Sequence, residues 1–418
     1  MSRTKRIFIS DIHMGTEDSV KNKYGWFWKE KGILLGEFLT QLAGDDTVAE
    51  LVIIGDLFDE WVVPYDTSPV ATASNQFEVI ASAAQNQPVI QGLKQLIATS
   101  GVTVYYVPGN HDMLIQSGQL TNILPGIKPI IDPTVMGKGI YTSGAVHAEH
   151  GSYYDLFNAP DAYDTLQDAT HHLPVGFFVA RSQAEGVING HPVSKSSVFK
   201  EIKTLWDKWN KKDPLVTNIY AAIASLSHTD NQNIVMNGLD GIEQNVENTN
   251  DVTHSYGNVY DEWDQNMPDS VYATTAVIGA TGTLRPAAIL KYHSFSSNNI
   301  AIFGHTHAAE IKSGWFLETD ESKQTLKTAR DKTDPNQESA LEKLLNLPET
   351  DASGSSGFIY VNTGTWITGD SGKPDTNQRA NYAVIEQKGS STYASLYNYN
   401  GVLYAPSSQM GSTYHVNN

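Results

Sequence analysis

Residues 51–59 read Leu-Val-Ile-Ile-Gly-Asp-Leu-Phe-Asp. Four apolar residues make a run as long as a buried strand, and a Gly-Asp pair ends it. The same phrase recurs along the chain. Arg6-Ile7-Phe8-Ile9-Ser10 leads into Asp11-Ile12-His13, and Val102 to Val107 into Pro108-Gly109-Asn110-His111-Asp112. Ala145-Val146-His147-Ala148-Glu149 leads into His150-Gly151, and Ile300-Ala301-Ile302 into Phe303-Gly304-His305-Thr306-His307. Between the early runs lie helical spacings: Leu35, Phe38, Leu39 and Leu42, then Val89, Leu93, Leu96 and Ile97 after Pro88. Strand alternating with helix predicts an α/β fold whose loops gather at the strand carboxyl ends, where such folds build their sites.

The five strand exits deliver a consistent chemistry: Asp11 and His13, Asp56, Asn110, His150, then His305 and His307. On an extended strand, residues two apart point the same way, so His305 and His307 are expected to reach one point in space. Each residue taken alone has a structural reading. Asp11 suits a helix cap, Asp56 a turn, Asn110 a left-handed backbone, and His150 a hydrogen-bonded core position. Seven oxygen and nitrogen ligand types at five exits point instead to a shared site.

The ordered set D-x-H, G-D-x-x-D, G-N-H-D/E, a lone H and G-H-x-H resembles the calcineurin-like metallophosphoesterases; here it is DIH, GDLFD, GNHD, His150 and GHTH. The resemblance covers about residues 5 to 155 and 297 to 400. FISDIHMG and GDLFDEW look closest to the bacterial branch that includes UDP-2,3-diacylglucosamine pyrophosphohydrolases. Those enzymes are similar to a G-N-R-D pattern where this chain has His111, so their substrate is not carried over.

The resemblance implies a four-layer α-β-β-α sandwich (the metallo-dependent phosphatase fold); the mainly helical cap insertion expected on it is read from the residues and finds no counterpart in the family. It also implies two divalent metal ions: Asp11, His13 and His307 on one, Asn110, His150 and His305 on the other, and Asp56 bridging both. Mixed carboxylate, amide and imidazole ligands suit Mn, Fe, Zn or Ni. The implied reaction is hydrolysis of phosphomonoesters or phosphodiesters by a metal-bridging hydroxide, with His111 as general acid. In that arrangement Asp112 orients His111 and keeps its pKa high enough to donate, and Asp59 is either a support for the ligands or a plain turn residue. Two rivals are a pyrophosphohydrolase acting on a nucleotide-linked phosphoanhydride and a non-catalytic binding scaffold of the same fold.

Composition agrees with this and excludes other classes. The net charge of −18 argues against general affinity for nucleic acid, whose phosphates need clustered Lys and Arg. Two dications less Asp11, Asp56 and one hydroxide leave roughly +1, a local positive site in an acidic protein. With no cysteine, disulfides and thiolate metal sites are excluded. No apolar run is long enough to span a bilayer, and the start has no long apolar signal core, so a cytoplasmic protein is expected. The expected partner is a small phosphoester, and the oligomeric state is left open.

The strand-then-polar rhythm divides the chain into a first core part, residues 1–151, a cap at 152–299, and a second core part at 300–418. The cap is expected to carry helices at Val198 to Trp209 and Thr217 to Leu226. Because it leaves beside His150 and returns on the strand bearing His305, it is expected to cover the site, the alternative being an oligomerisation or surface domain that points away. A charged insertion is expected at about 312–356, and a hairpin from Tyr382 to Tyr404 turning near Lys388-Gly389-Ser390. Tyr24, Trp26, Phe27, Trp28 and Trp61 either line a pocket or pack under the cap. Tyr153, Asp155 and Asn158 are near the site by adjacency to His150, while His147, His171, His172 and His293 are read as structural.

Overall fold

The computed structural model describes residues 3–64, 75–133, 135–155, 158–159, 173–193, 200–201, 204, 215–229, 284–315, 318–331, 334–345, 357–368 and 379–417. A seven-stranded sheet is ordered β12-β11-β10-β1-β2-β3-β4. Its strands are β1 (Lys5–Ile9), β2 (Val48–Ile54), β3 (Thr103–Val107), β4 (Lys128–Pro129), β10 (Asn381–Lys388), β11 (Ser391–Asn398) and β12 (Tyr414–Asn417). A five-stranded sheet is ordered β5-β6-β7-β9-β8. It comprises β5 (Tyr141–Ser143), β6 (Val146–Ala148), β7 (Asn299–Phe303), β8 (Glu310–Trp315) and β9 (Gly357–Asn362).

Period-two alternation makes both faces of each central strand apolar, and this dictates the layering. Phe8, Val52, Ile54 and Val107 from the first sheet meet Val146, Ala148, Ile300, Ile302, Ile359 and Val361 from the second in one apolar layer. Their neighbours Ile7, Ile9, Leu51 and Ile53 face outward and join Leu35, Phe38, Leu39, Leu42, Val89, Leu93 and Leu96. Those residues lie on the helices Lys29–Gly44 and Gln87–Ala98, the expected crossovers, the second with Pro88 in its first turn. The outer face of the second sheet presents Ala301, Phe303, Phe358 and Tyr360 to the helices Arg285–Tyr292, Asp320–Arg330 and Gln337–Leu345. The result is the α-β-β-α sandwich. Phe8, fully buried between the sheets against Tyr141, is a residue whose truncation to Ala would cost roughly 3–5 kcal/mol.

Strands β1, β2 and β3 run parallel, as do β6, β7 and β9, so their carboxyl ends emerge along one rim. The hairpin forms as expected, with β10 and β11 joined through Gly389 at φ 63°. Of the two cap helices expected, Thr217 to Leu226 falls within the helix Leu215–Leu226, and Val198 to Trp209 lies largely outside the described residues, as do His171 and His172. A further helix, Val175–Ile188, buries Phe177, Phe178 and Ala184. The stretch read as a charged insertion supplies β8 and two helices of the outer layer. One of them, Asp320–Arg330, opens on a capping box of Thr319 and Ser322 and buries only Leu326 and Ala329, which is why its sequence reads as solvated.

Candidate metal centre

Each strand that reaches the rim ends in an abrupt turn. Asp11, His13, Asp56, His305 and His307 all have φ between 53° and 69°, the left-handed region. That conformation costs a non-glycine residue of order 1–3 kcal/mol and persists only where its surroundings hold it. The holding contacts are explicit. The Asp11 and His13 N–H groups donate to the carbonyls of Gly55 and Asp56 at 3.2 and 2.8 Å. The Asp11 carbonyl accepts from Thr365 Oγ1 at 2.7 Å and Trp366 N at 3.0 Å. His305 and His307 therefore stand beyond β7, not on it, and the extended-strand expectation fails: the two rings turn to different neighbours.

His307 Nε2 lies 2.9 Å from His13 Nε2 and 3.3 Å from Asp11 Oδ1. His305 Nδ1 lies 3.1 Å from Asn110 Oδ1, which is 3.0 Å from His150 Nε2. Between these two groups stands Asp56 Oδ2, 3.5 Å from His13 Nε2 and 3.2 Å from His150 Nε2. Donor atoms about 2.1 Å from a common ion stand roughly 3–3.5 Å apart, so these separations fit two cations sharing Asp56. Asp11, His13, Asp56 and His150 are almost wholly shielded from solvent, which a structure without compensating charge would not favour.

The imidazoles are set up by their other nitrogens. His150 Nδ1 donates to the Ile54 carbonyl at 2.9 Å, leaving Nε2 toward Asp56. Asp155 Oδ2 stands 3.0 Å from His305 Nε2, and Asn110 Nδ2 donates to Asn158 at 3.4 Å. Adjacency alone had suggested Asp155 and Asn158; both are at the site, whereas the Tyr153 hydroxyl donates to the Met136 carbonyl. Glycine is required at two of the motifs because ligand atoms pass so close. A Cβ on Gly109 would meet Asp56 Oδ1 at 2.2 Å, and one on Gly304 would meet Asp11 Oδ2 at 2.6 Å. The loop after β9 was missed from sequence. Ser10 Oγ, 2.6 Å from Thr363 Oγ1, bonds Asp11 Oδ2, and Asn362 Nδ2 donates to the Gly304 carbonyl at 2.7 Å. Its only signal is Asn-Thr-Gly-Thr directly after an apolar run.

The expected partner of His111 needs correction. His111 Nδ1 donates to Asp59 Oδ1 at 2.8 Å. Asp112 instead accepts four backbone N–H groups, from Gly109 at 2.7 Å, Leu57 at 2.8 Å, and Asp56 and Phe58 at 3.2 Å. It ties the GNHD loop to the GDLF loop and does not orient the imidazole. The physical reason is that the side chain of Asp112 turns toward the backbone N–H groups of the loop after β2, while that same loop brings Asp59 to the Nδ1 edge of His111. The ring of His111 also stacks on Trp61, with centroids 4.6 Å apart and planes at 29°, and Trp26 stands 4.8 Å from His13 and 5.3 Å from His111.

Electrostatics follow this geometry. Burial raises the Asp59 carboxyl, but His111 and His13 more than offset it and hold it below the usual range. Burial lowers the His111 imidazole, but Asp59 and Asp56 carry it above its ordinary value. Burial and the nearby Asp56 push Asp112 up to about 6, against its backbone donors. Burial opposes charge on Asp56 as well, yet His150 and His111 hold its carboxyl well below the ordinary value.

Among known proteins, the family described as calcineurin-like phosphoesterase matches residues 4–196. The chain is 32% identical over 131 residues to the UDP-2,3-diacylglucosamine hydrolase of Nitrosococcus oceani, which is 31% of this chain and 40% of that protein. It is 30% identical over 182 residues to the protein of the same name from Xanthomonas axonopodis pv. citri, 42% of this chain and 61% of the relative. A third such protein, from Xanthomonas campestris pv. campestris, is 28% identical over 130 residues. The chain thus spans 40% to 61% of the length of these relatives. Among the described residues no helix is long and apolar enough to cross a membrane. The match spans residues 4–196, and over that stretch the chain is similar to the calcineurin-like phosphoesterases, while His305 and His307, beyond it, fold back onto the same rim.

Proposed function

We propose that this protein is a dinuclear metal-dependent phosphoesterase that hydrolyses phosphomonoesters or phosphodiesters. The observation that carries the reading is Asp56 Oδ2, within 3.5 Å of donor atoms from both ligand groups. Asp11, His13 and His307 would hold one cation, Asn110, His150 and His305 the other, and Asp56 both; Mn, Fe, Zn and Ni suit this donor set. Two divalent cations bound there supply positive charge for the phosphoryl oxygens and acidify water.

The chain's own residues do the rest. His111, with Nδ1 given to Asp59, has Nε2 available to protonate the oxygen that departs as the ester bond breaks. Asp59 fixes the tautomer that makes this possible and stabilises the imidazolium before transfer. Trp61 and Trp26 limit water at the ring, which strengthens each of these interactions.

A second reading, cleavage of a nucleotide-linked phosphoanhydride, is favoured by the name of the relatives, UDP-2,3-diacylglucosamine hydrolase. One experiment separates the two. Purified protein loaded with Mn is assayed on an alkyl phosphomonoester, bis(nitrophenyl) phosphate and a UDP-sugar, with bound metal quantified alongside. Two metals per chain and turnover of the esters are expected. Exclusive cleavage of the UDP-sugar would favour the phosphoanhydride, and a metal-loaded protein inert on all three would overturn both.

A further inference from the structure

Residues 59–61, Asp-Glu-Trp, engage His111 in three ways. The Asp59 carboxylate accepts a hydrogen bond from its Nδ1, the Glu60 N–H donates to its carbonyl at 3.2 Å, and the Trp61 ring lies against its face. The same tripeptide is gripped from outside the core. Arg181, on the helix Val175–Ile188, is 0% exposed and places Nη2 2.5 Å from Glu60 Oε1. Its guanidinium also lies 4.3 Å from the ring of Phe177, one turn earlier, and Phe177 meets the edge of Trp61 with centroids 6.0 Å apart.

A fully buried ion pair contributes little net stability over an apolar contact of equal volume, because two charges must leave water. What it contributes is register: Arg181 Nη2 donates to Glu60 Oε1 and, at 3.5 Å, to the Glu60 carbonyl, so the helix is tied to both the side chain and the backbone of the 59–61 loop.

We propose that the helix Val175–Ile188 is a positioning element for the general acid, clasping Glu60 through Arg181 and pressing Trp61 onto His111 through Phe177. This rests on the role assigned to His111 above. Neither Arg181 nor Phe177 touches the ligand groups, so both act through the loop and are positioning residues. The stretch 152–299 would then govern the chemical step itself, in addition to any cover it gives the site.

The test is the double variant Glu60→Gln with Arg181→Met, which removes both charges of this pair, together with Trp61→Leu and Trp61→Phe, all in the full-length chain. With two Zn ions retained per chain, the double variant and Trp61→Leu are expected to lose about tenfold in kcat on an alkyl phosphomonoester, with KM little changed. On a nitrophenyl ester, whose leaving group needs no proton, the loss should be much smaller, and Trp61→Phe should restore most of the alkyl rate. Unchanged alkyl turnover in a folded, Zn-loaded double variant overturns the clasp, as does an equal loss on both esters.

A second readout does not depend on activity. In the Zn-loaded protein labelled with ¹³C-histidine, the His111 ring signal, assigned with His111→Gln, should carry a ring-current shift from Trp61 that collapses in the double variant. A shift that persists overturns the clasp even if the parent proves inactive. An inactive parent whose ring-current shift does collapse would instead refute the catalytic reading and leave the positioning contact standing.

Discussion

Asp59 Oδ1 lies 2.8 Å from His111 Nδ1, and Asp112, next to His111 in sequence, turns its carboxylate onto four backbone N–H groups instead. The two acids are therefore separable by mutation. Asp59→Asn should keep its metals and its melting temperature within a few degrees but lose on the order of 10-fold to 10²-fold in kcat on alkyl esters. Asp112→Asn should lose stability first, by roughly 1–3 kcal/mol, since an amide satisfies fewer of the donors now facing a carboxylate. Thermal melts and kinetics on both variants check this; the opposite pattern would return the orienting role to Asp112.

That exchange of roles marks where the sequence stops being informative. The sandwich is legible because β1, β2, β3, β6 and β7 each read as an apolar run closed by a polar cluster, and the ligand residues because they sit at those closures. Whether Asp59 or Asp112 reaches His111 depends on how two loops 52 residues apart approach each other, and spacing carries no record of that. The left-handed backbone at Asp11, His13, Asp56, His305 and His307 runs against local propensity and is imposed by tertiary hydrogen bonds, so the extended-strand argument for the last two fails. The helix Val175–Ile188 escaped because it buries Arg181, Ser182 and Glu185 along with Phe177, Phe178 and Ala184, leaving no clean apolar stripe to recognise.

Asp56 makes the strongest claim on metal content. Its Oδ2 is shared between both ligand groups, while Oδ1 accepts the His111 N–H at 2.8 Å. Asp56→Asn keeps the size and one acceptor but removes the shared charge. It should bind less than two metals per chain, lose turnover, and no longer gain thermal stability on titration with Mn, a gain the parent should show because ligand binds only the folded state. Two tightly bound ions and full turnover in the variant would refute the shared-ligand assignment.

Asp155 tests whether the start of the 152–299 stretch belongs to the site. Its Oδ2 is 3.0 Å from His305 Nε2, the nitrogen opposite the one facing Asn110. Carboxylates in this position orient imidazole ligands and raise their basicity, and losing them typically weakens metal affinity by about 10- to 100-fold. Asp155→Ala should show that loss for one of the two ions, seen as a split in a calorimetric Mn titration. Identical titrations in parent and variant would mean that Asp155 only neighbours the ring.

His293 offers a pH test away from the metal ligands. Burial, together with the nearby Arg330, lowers its imidazole to about 4 from an ordinary 6.5. Between those values the unfolded chain binds a proton that the folded protein does not. Stability therefore rises with pH across the window; its full share is present above 6.5 and is lost progressively as pH falls toward 4. The slope from this one group approaches about 1.4 kcal/mol per pH unit in mid-window. His293→Gln, neutral throughout, should flatten the dependence of urea unfolding on pH between 4.5 and 6.5 relative to the parent. Both proteins are measured with chelator present, so the titration of the metal site, common to the two, cancels in the difference. Parallel profiles would show that His293 takes up its proton as readily in the folded protein as in the unfolded chain.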